Sequence, residues 1–145
     1  MYRSGHIVTS LLIYIIIIQH YYFNLFNDYL LPIYLIVNVF GALTPDIDIY
    51  LKRIIKIVNH RDPLTHSALI PLVLSLAVAP YSSYFQLYFA FSLGISTHLI
   101  SDIPSRKAID KLSISWSRVW LMLNGLIAFP VFSYNWLNML LNISI

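Results

Sequence analysis

The sequence predicts an all-α polytopic membrane protein with about five transmembrane helices and an interfacial amphipathic helix between the second and third. Of its 145 residues, 59% are hydrophobic and only 10% are charged, which is far from the composition of a soluble globular protein. Apolar segments alternate with polar connections, and nearly all ionisable residues lie at one end of those segments. The length indicates a single domain, residues 1–145.

Five apolar segments account for the predicted helices. They cover residues 7–26, 30–43, 68–80, 84–100 and 119–143. The first is long enough, at ~1.5 Å per residue, to cross a hydrocarbon core of ~30 Å. Because Gln19 and His20 follow its apolar run in place of a small-residue cleavage site, we expect a retained helix and not a signal peptide. The second and third segments are short for a crossing unless neighbouring polar turns continue the helices.

The basic residues predict the orientation in the membrane. All nine Lys and Arg lie on one side of the segments, namely Arg3, Lys52, Arg53, Lys56, Arg61, Arg106, Lys107, Lys111 and Arg118. The positive-inside rule makes that side cytoplasmic. We therefore expect a multi-pass protein of the plasma or inner membrane, with a cytoplasmic N-terminus. Among the carboxylates and imidazoles, only Asp28 and His20 lie elsewhere.

The connection between the second and third segments has helical periodicity. Apolar residues recur at the spacing of one helical face, whereas Lys52, Arg53 and Lys56 fall on other faces. Thr44 and Pro45 are suited to be its N-cap and first helical residue. Such a helix could bind anionic lipid, or its charges could only orient the protein, and both can hold together. Membrane lipids are thus an expected partner.

Seven His and Asp residues from four parts of the sequence form a candidate metal site. They are His6, Asp46, Asp48, His60, His66, His98 and Asp102. Because odd helices begin and even helices end on the same face, the topology brings all of them to one membrane depth. Such groups near hydrocarbon are costly unless they are paired or coordinated. With no Cys, the set suits one or two divalent ions such as Zn²⁺, Mn²⁺ or Fe²⁺.

The two carboxylate motifs each leave alternatives open. His98 and Asp102 are four residues apart, so they share a helical face and could ligate one metal or form a hydrogen-bonded pair. Asp46 and Asp48 cannot point the same way on a regular helix. Their joint ligation requires an irregular first turn or two metals, and the alternative is that acidic residues simply favour a helix N-terminus.

The histidines around the third segment depend on where its helix begins. Asp62 before Pro63 is typical of an N-cap followed by a first-turn proline, so we interpret Asp62 as a cap and not a ligand. That places His66 in the first turn of the third helix and His60 just outside it. By itself, His6 at a helix start is more often a solvated interfacial residue than a ligand.

Taken in order, the motifs resemble a known family. They are Gly5-His6, Pro45-Asp46-Ile47-Asp48, His60-Arg61 with Thr65-His66-Ser67, and Gly94 through His98 to Asp102. This set is similar to the inner-membrane-associated metal-dependent hydrolase family, whose bacterial members include a LexA-regulated protein. The resemblance spans Gly5 to about Pro104 and implies a helical membrane protein with a metal site at these His and Asp positions.

The sequence departs from that family's pattern at two places. The stretch from His60 to His66 has one residue more than the compact His-Arg-Gly-x-Thr-His-Ser form, which we interpret as a loop variant. After Asp102, Ile103-Pro104-Ser105 replaces the usual Thr-Pro and Gly pattern. The second departure bears on substrate contacts more than on metal ligation.

The leading functional hypothesis is a metal-dependent hydrolase that acts on an anionic or lipid-linked substrate, for example a phosphoester. Asp46 and Asp48 would serve as ligands or general base, Arg61 would bind an anion, and Thr65 would support the ligands. The alternatives are a metal-binding or transport protein without hydrolytic activity, and a structural scaffold in which His and Asp clamp helices together. A nucleic-acid role is disfavoured, because the basic residues lie beside a membrane. The oligomeric state is left open.

Overall fold

The computed structural model describes residues 3–21, 29–54, 61–78, 84–104 and 109–130, and all regular structure in these ranges is helical. The elements are α1 (Arg3–Tyr21), α2 (Leu31–Leu43), a 3₁₀ turn (Thr44–Ile47), α3 (Asp48–Ile54), α4 (Leu69–Val78), α5 (Phe85–Ser101) and α6 (Ile114–Ala128). The all-α class is therefore confirmed. His60, Lys56, Arg106 and Lys107 lie outside the described residues, as does the end of the fifth predicted segment.

Helix α2, the 3₁₀ turn and α3 form one continuous helical run of 24 residues, Leu31–Ile54. Within the described part of the chain, this is the one helix that is both long and apolar enough to cross a membrane, and α1 contributes a shorter apolar stretch. The predicted cap at Thr44 is wrong, because Thr44 is itself helical and its hydroxyl donates to the Phe40 carbonyl at 2.8 Å. The five-span count stays a prediction.

Helix α5 lies at the centre and contacts α1, α2, α4 and α6. Its residues from Ser92 to Leu99 are all buried. The outer helices instead expose large apolar side chains, as α1 does at the four-residue spacing of Val8, Leu12 and Ile16. Exposed apolar area on this scale marks a surface that is covered in the native environment, and lipid provides that cover for a membrane protein.

The interior holds polar groups that join the helices. The hydroxyl of Ser10 on α1 donates to Oδ1 of Asn38 on α2 at 2.8 Å. The amide of Asn38 donates in turn to the carbonyl of Ala90 on α5 at 2.9 Å. Such interhelical hydrogen bonds contribute about 1 kcal/mol each in a membrane protein. They fix the positions of α1, α2 and α5 relative to one another.

Two glycines set the crossing of α2 and α5. A Cβ atom on Gly41 would lie 2.1 Å from the carbonyl oxygen of Phe91, and one on Gly94 would lie 2.3 Å from that of Asn38. Small residues allow two helix backbones to approach this closely. His98 is one turn beyond Gly94, and Ala42 directly follows Gly41, so the crossing determines how His98 meets α2.

Candidate metal centre

The structure brings five of the predicted site residues together. They are His6 near the start of α1, Asp46 in the 3₁₀ turn, His66 before α4, His98 in the last turn of α5 and Asp102 directly after it. Their donor atoms form two groups of three, each with all atoms within 4.8 Å of one another. One group is His6, His98 and Asp102, and the other is Asp46, His66 and His98. His98 belongs to both.

His98 presents one ring nitrogen to the cluster. The side chain is fully buried, and its Nδ1 lies 2.6 Å from the carbonyl oxygen of Ala42. Because a carbonyl can only accept, Nδ1 carries a proton, and the neutral ring therefore has its lone pair on Nε2. That Nε2 atom is buried and has no hydrogen-bond partner in the described part of the chain. The nearest acidic oxygens are Oδ1 of Asp46 at 3.9 Å and Oδ2 of Asp102 at 4.0 Å.

His66 has a comparable arrangement, in which the hydroxyl of Thr65 is the hydrogen-bond partner of Nδ1 at 3.2 Å and Oδ2 of Asp48 lies further away at 3.6 Å. Its buried Nε2 has no hydrogen-bond partner among the described residues. Burial and, after it, the charge of His98 lower the pKa of His66 from 6.5 to about 4. The imidazole is therefore neutral at physiological pH, the form in which histidine binds metals.

Asp48 lies behind His66 and organises the loop that carries it. One of its oxygens, Oδ2, accepts hydrogen bonds from the backbone N–H groups of Arg61 and Asp62, the latter at 3.2 Å. The irregular turn that joint use of Asp46 and Asp48 requires is present, because Thr44–Ile47 is a 3₁₀ turn. It directs Asp46 towards His98 and Asp48 towards Nδ1 of His66. A carboxylate on the far nitrogen of a ligand histidine fixes its tautomer and orientation.

His6, Asp102 and Arg61 form a second layer of the cluster and are linked to one another by ion-pair contacts. The hydroxyl of Ser101 donates to the carbonyl of His98 at 2.9 Å, so it accepts from Nδ1 of His6 at 2.7 Å. Nε2 of His6 lies 3.4 Å from Oδ1 of Asp102, and the guanidinium of Arg61 lies 2.9 Å from Oδ2. Here the predicted anion-binding arginine pairs with a carboxylate of the protein itself.

Asp102 is ionised in this environment. Burial alone would raise its pKa, but the hydrogen bond from His6 and the positive charge of Arg61 outweigh burial and hold the pKa well below its usual range. The ring of His6 also stacks on that of His98, with centroids 3.9 Å apart and an angle of 19° between the planes. The two imidazole rings of the group His6, His98 and Asp102 are therefore in direct contact.

Asp62 caps a turn, as predicted, but the helix start predicted there is wrong, because α4 begins only at Leu69. The Asp62 side chain accepts from the N–H of Leu64 at 2.8 Å, and its carbonyl accepts from the N–H of His66 at 3.0 Å, which closes a single turn. The hydroxyl of Ser67 then donates to the Leu64 carbonyl and accepts from the N–H of Leu69, where α4 begins. Because these local bonds compete with helix continuation, His66 lies in a separate turn before α4.

Sequence reasoning missed several groups that position the ligands. The Ala42 carbonyl and the Ser101 hydroxyl contact the rings of His98 and His6, and the indole of Trp120 donates to the carbonyl of His66 at 2.8 Å. None of them forms a local motif with the residue that it contacts. The roles of all predicted ligands stay predictions, and His60 lies outside the described residues.

An apolar exterior around a buried cluster of His and Asp defines a helical membrane protein with a polar site among its helices. A family model described as YdjM inner membrane protein matches residues 1–139, and the chain belongs to this family. The inner-membrane family expected from the sequence is thereby confirmed, whereas hydrolysis and LexA regulation stay predictions. Searches of curated proteins and of solved structures found no match.

Proposed function

We propose that this protein is a membrane-bound metal-dependent hydrolase that acts at the cytoplasmic membrane face on a lipid-associated substrate such as a phosphoester. The proposal rests on one observation above all. His66 and His98 are fully buried, each has an Nε2 atom that no described residue hydrogen-bonds, and each contributes a ring nitrogen to the group of three donor atoms that includes a carboxylate oxygen of Asp46. Buried polar atoms are rarely left unsatisfied, and a metal ion would satisfy both of these at once.

The donor set fits a divalent ion. Two imidazole nitrogens and a carboxylate oxygen form the three-ligand set that catalytic zinc sites use, with a further position open for water or substrate. Ligands of one zinc ion lie at ~2.0–2.2 Å from it, so the 3.9 Å between Nε2 of His98 and Oδ1 of Asp46 needs to shorten only slightly. Zn²⁺ or Mn²⁺ is the expected cofactor.

The geometry favours one ion over two. His98 has its Nδ1 engaged by the Ala42 carbonyl, so it offers only Nε2 and can bind a single metal. A second ion would have only His6 and Asp102 of the other group, and Asp102 already pairs with Arg61. We therefore assign Asp46, His66 and His98 as the ligands. His6, Asp102 and Arg61 form the adjoining acid–base network.

When bound there, a divalent ion would supply a Lewis acid that activates water and polarises an ester or phosphoryl oxygen. Asp102, whose Oδ2 lies 4.0 Å from Nε2 of His98, would accept a hydrogen bond from a water beside the ion and so orient it. Arg61 and His6 hold Asp102 in position. The side chain of Asp46 is 15% exposed, whereas those of His6, His66, His98 and Asp102 are 3% exposed or less. Substrate would therefore reach the site past Asp46.

The position of Asp46 also supports a membrane substrate. It lies between α2, which belongs to the membrane-length helical run, and α3, which exposes Lys52 and Arg53. Basic side chains at the membrane surface attract anionic headgroups. A lipid phosphate or a lipid-linked anion would thus be concentrated beside the most accessible ligand.

Turnover by the purified, metal-loaded protein tests the proposal. In detergent or liposomes with Zn²⁺ or Mn²⁺, a panel of phosphate and carboxylate esters of membrane lipids should reveal a metal-dependent hydrolysis. Asp46→Asn should reduce its rate on the order of 100-fold or more, because it weakens a ligand. Asp62→Asn is the matched control, since the amide oxygen can still accept from the Leu64 N–H and the residue lies outside both ligand groups.

Metal-loaded wild-type protein that hydrolyses no member of the panel would overturn the hydrolase assignment. The metal-binding or transport alternative would then be tested by following metal flux into proteoliposomes. A hydrolysis that persists unchanged in Asp46→Asn would instead show that the activity does not belong to this cluster.

A further inference from the structure

The segment after the metal-site motifs reaches back to the loop that carries His66. The indole Nε1 of Trp120 on α6 donates to the carbonyl oxygen of His66 at 2.8 Å. One turn further on, Oδ1 of Asn124 accepts from the backbone N–H of Ala68 at 2.9 Å. The Asn124 amide nitrogen donates to the Trp120 carbonyl at 2.9 Å, which fixes which way its side chain points.

The residues that precede α6 contact the beginning of the loop, at Arg61. The backbone N–H of Asp110 donates to the carbonyl of Arg61 at 3.0 Å. The neighbouring N–H of Ile109 donates to the hydroxyl of Ser117 on α6 at 2.8 Å, so this contact is itself tied to α6. The loop from Arg61 to Ala68 is thus bonded at both ends to residues 109–124.

We infer that α6 is a positioning element of the metal centre, and that Trp120 and Asn124 determine where the imidazole of His66 lies. The inference rests on the metal binding in the proposed function, and it does not depend on hydrolysis. His66 sits in an isolated turn and not within a helix, so no continuous helix fixes its backbone. The bonds from Trp120 and Asn124 both hold the chain directly after its α-carbon, one at its own carbonyl and one at the N–H two residues later.

This role differs from general stabilisation of the fold. Helix α6 already packs on α5 through apolar side chains such as Leu121 and through Gly125, whose carbonyl accepts from the Ser96 hydroxyl at 2.7 Å. The Ser96–Gly125 contact does not involve the His66 loop, and of that loop's residues only Ala68 is among the buried members of the apolar cluster. Trp120→Phe removes the indole N–H together with part of a ring that packs on this cluster, whereas Asn124→Leu removes the amide with little change of volume, so release of the loop in both variants points to the lost hydrogen bonds.

The test compares Trp120→Phe and Asn124→Leu with Trp116→Phe in full-length protein in detergent. Trp116 lies one turn earlier on α6 and its side chain is 67% exposed, so it provides the matched control. Amide hydrogen exchange of peptides covering residues 61–68 should accelerate in the first two variants and not in the control. The affinity for Co²⁺ should fall about tenfold in the same two variants, the lower end of the range for lost partners of ligand histidines.

The exchange measurement needs no metal, so it separates the two hypotheses. If wild-type protein takes up no Co²⁺, the proposed function fails, whereas the exchange rates still decide whether α6 holds the loop. Unchanged exchange in Trp120→Phe and Asn124→Leu would overturn the inference. So would faster exchange with unchanged Co²⁺ affinity and an unchanged Co²⁺ absorption spectrum, because the loop would then move without affecting His66 as a ligand.

Discussion

Gly94→Ala is expected to disrupt both the helix crossing and the metal centre. The added Cβ would lie 2.3 Å from the Asn38 carbonyl oxygen and 2.7 Å from the Ala42 nitrogen. Both are backbone atoms, so neither can rotate away, and α2 and α5 must separate. Overpacking of this kind costs about 1–3 kcal/mol, and contact with rigid backbone places the cost at or above the upper end.

The same separation should weaken metal binding. The Ala42 carbonyl that orients His98 belongs to the stretch of α2 that Gly94 contacts, so moving it disturbs the imidazole. Partners of this kind are worth about 10–100-fold in metal affinity. Thermal unfolding in detergent and metal titration of the still-folded protein at low temperature measure the two effects separately.

Gly125→Ala is the matched control for Gly94→Ala. A Cβ at Gly125 would meet Cγ1 of Ile100 at 2.8 Å, which is part of a flexible side chain, and its nearest backbone atom lies at 3.5 Å. The side chain can shift, so we expect a much smaller loss of stability and no change in metal affinity. Gly94→Ala protein as stable and as tight-binding as Gly125→Ala would show that the α2–α5 crossing is not as close as described.

His98→Ala is expected to remove metal binding, with a loss of affinity well above the roughly 10–100-fold that partners of ligands contribute. His98 lies in both donor groups, and no residue that the structure describes is a hydrogen-bond partner of its Nε2. His6→Ala should cost less, about tenfold, because His6 acts through its contacts with Asp102 and with the ring of His98. Competition with a chromogenic chelator measures both dissociation constants.

The comparison also decides which donor group holds the ion. Equal losses in His6→Ala and His98→Ala, together with unchanged binding in His66→Ala, would place it at His6, His98 and Asp102. Because His98→Ala opens a cavity, the unfolding of each metal-free variant should be followed alongside, and His98→Asn provides a second variant that fills more of the space. A loss of affinity that merely follows a loss of folded protein would not support the ligand assignment.

The convergence of the site could be predicted because it depends only on topology. His6 at a first helix, Asp46 after a second and His98 at the end of α5 share a face whatever the packing details are. The close packing of α2 against α5 could not be predicted from the sequence. Gly94 appeared as part of a motif, but its closeness to the Asn38 backbone follows from a contact between residues far apart in the chain.

The different contacts of Asp46 and Asp48 could not be predicted from their residue type. Asp46 and Asp48 are equivalent in sequence, and only the 3₁₀ turn separates them by directing one to Nε2 of His98 and the other to Nδ1 of His66. The helix start at Asp62 was wrong because Ser67 forms competing local bonds. The contribution of α6 gave no signal, since Trp120 lies far beyond the motif that it supports.

The central claim is that a divalent ion belongs at Asp46, His66 and His98. Elemental analysis of wild-type protein purified in detergent, beside an Asp46→Asn/His98→Ala double variant that remains folded, tests it most directly. The structure predicts about one Zn²⁺ or Mn²⁺ per wild-type chain and none in the double variant. Wild-type protein without bound metal after incubation with either ion, or a double variant that retains it, would contradict the claim.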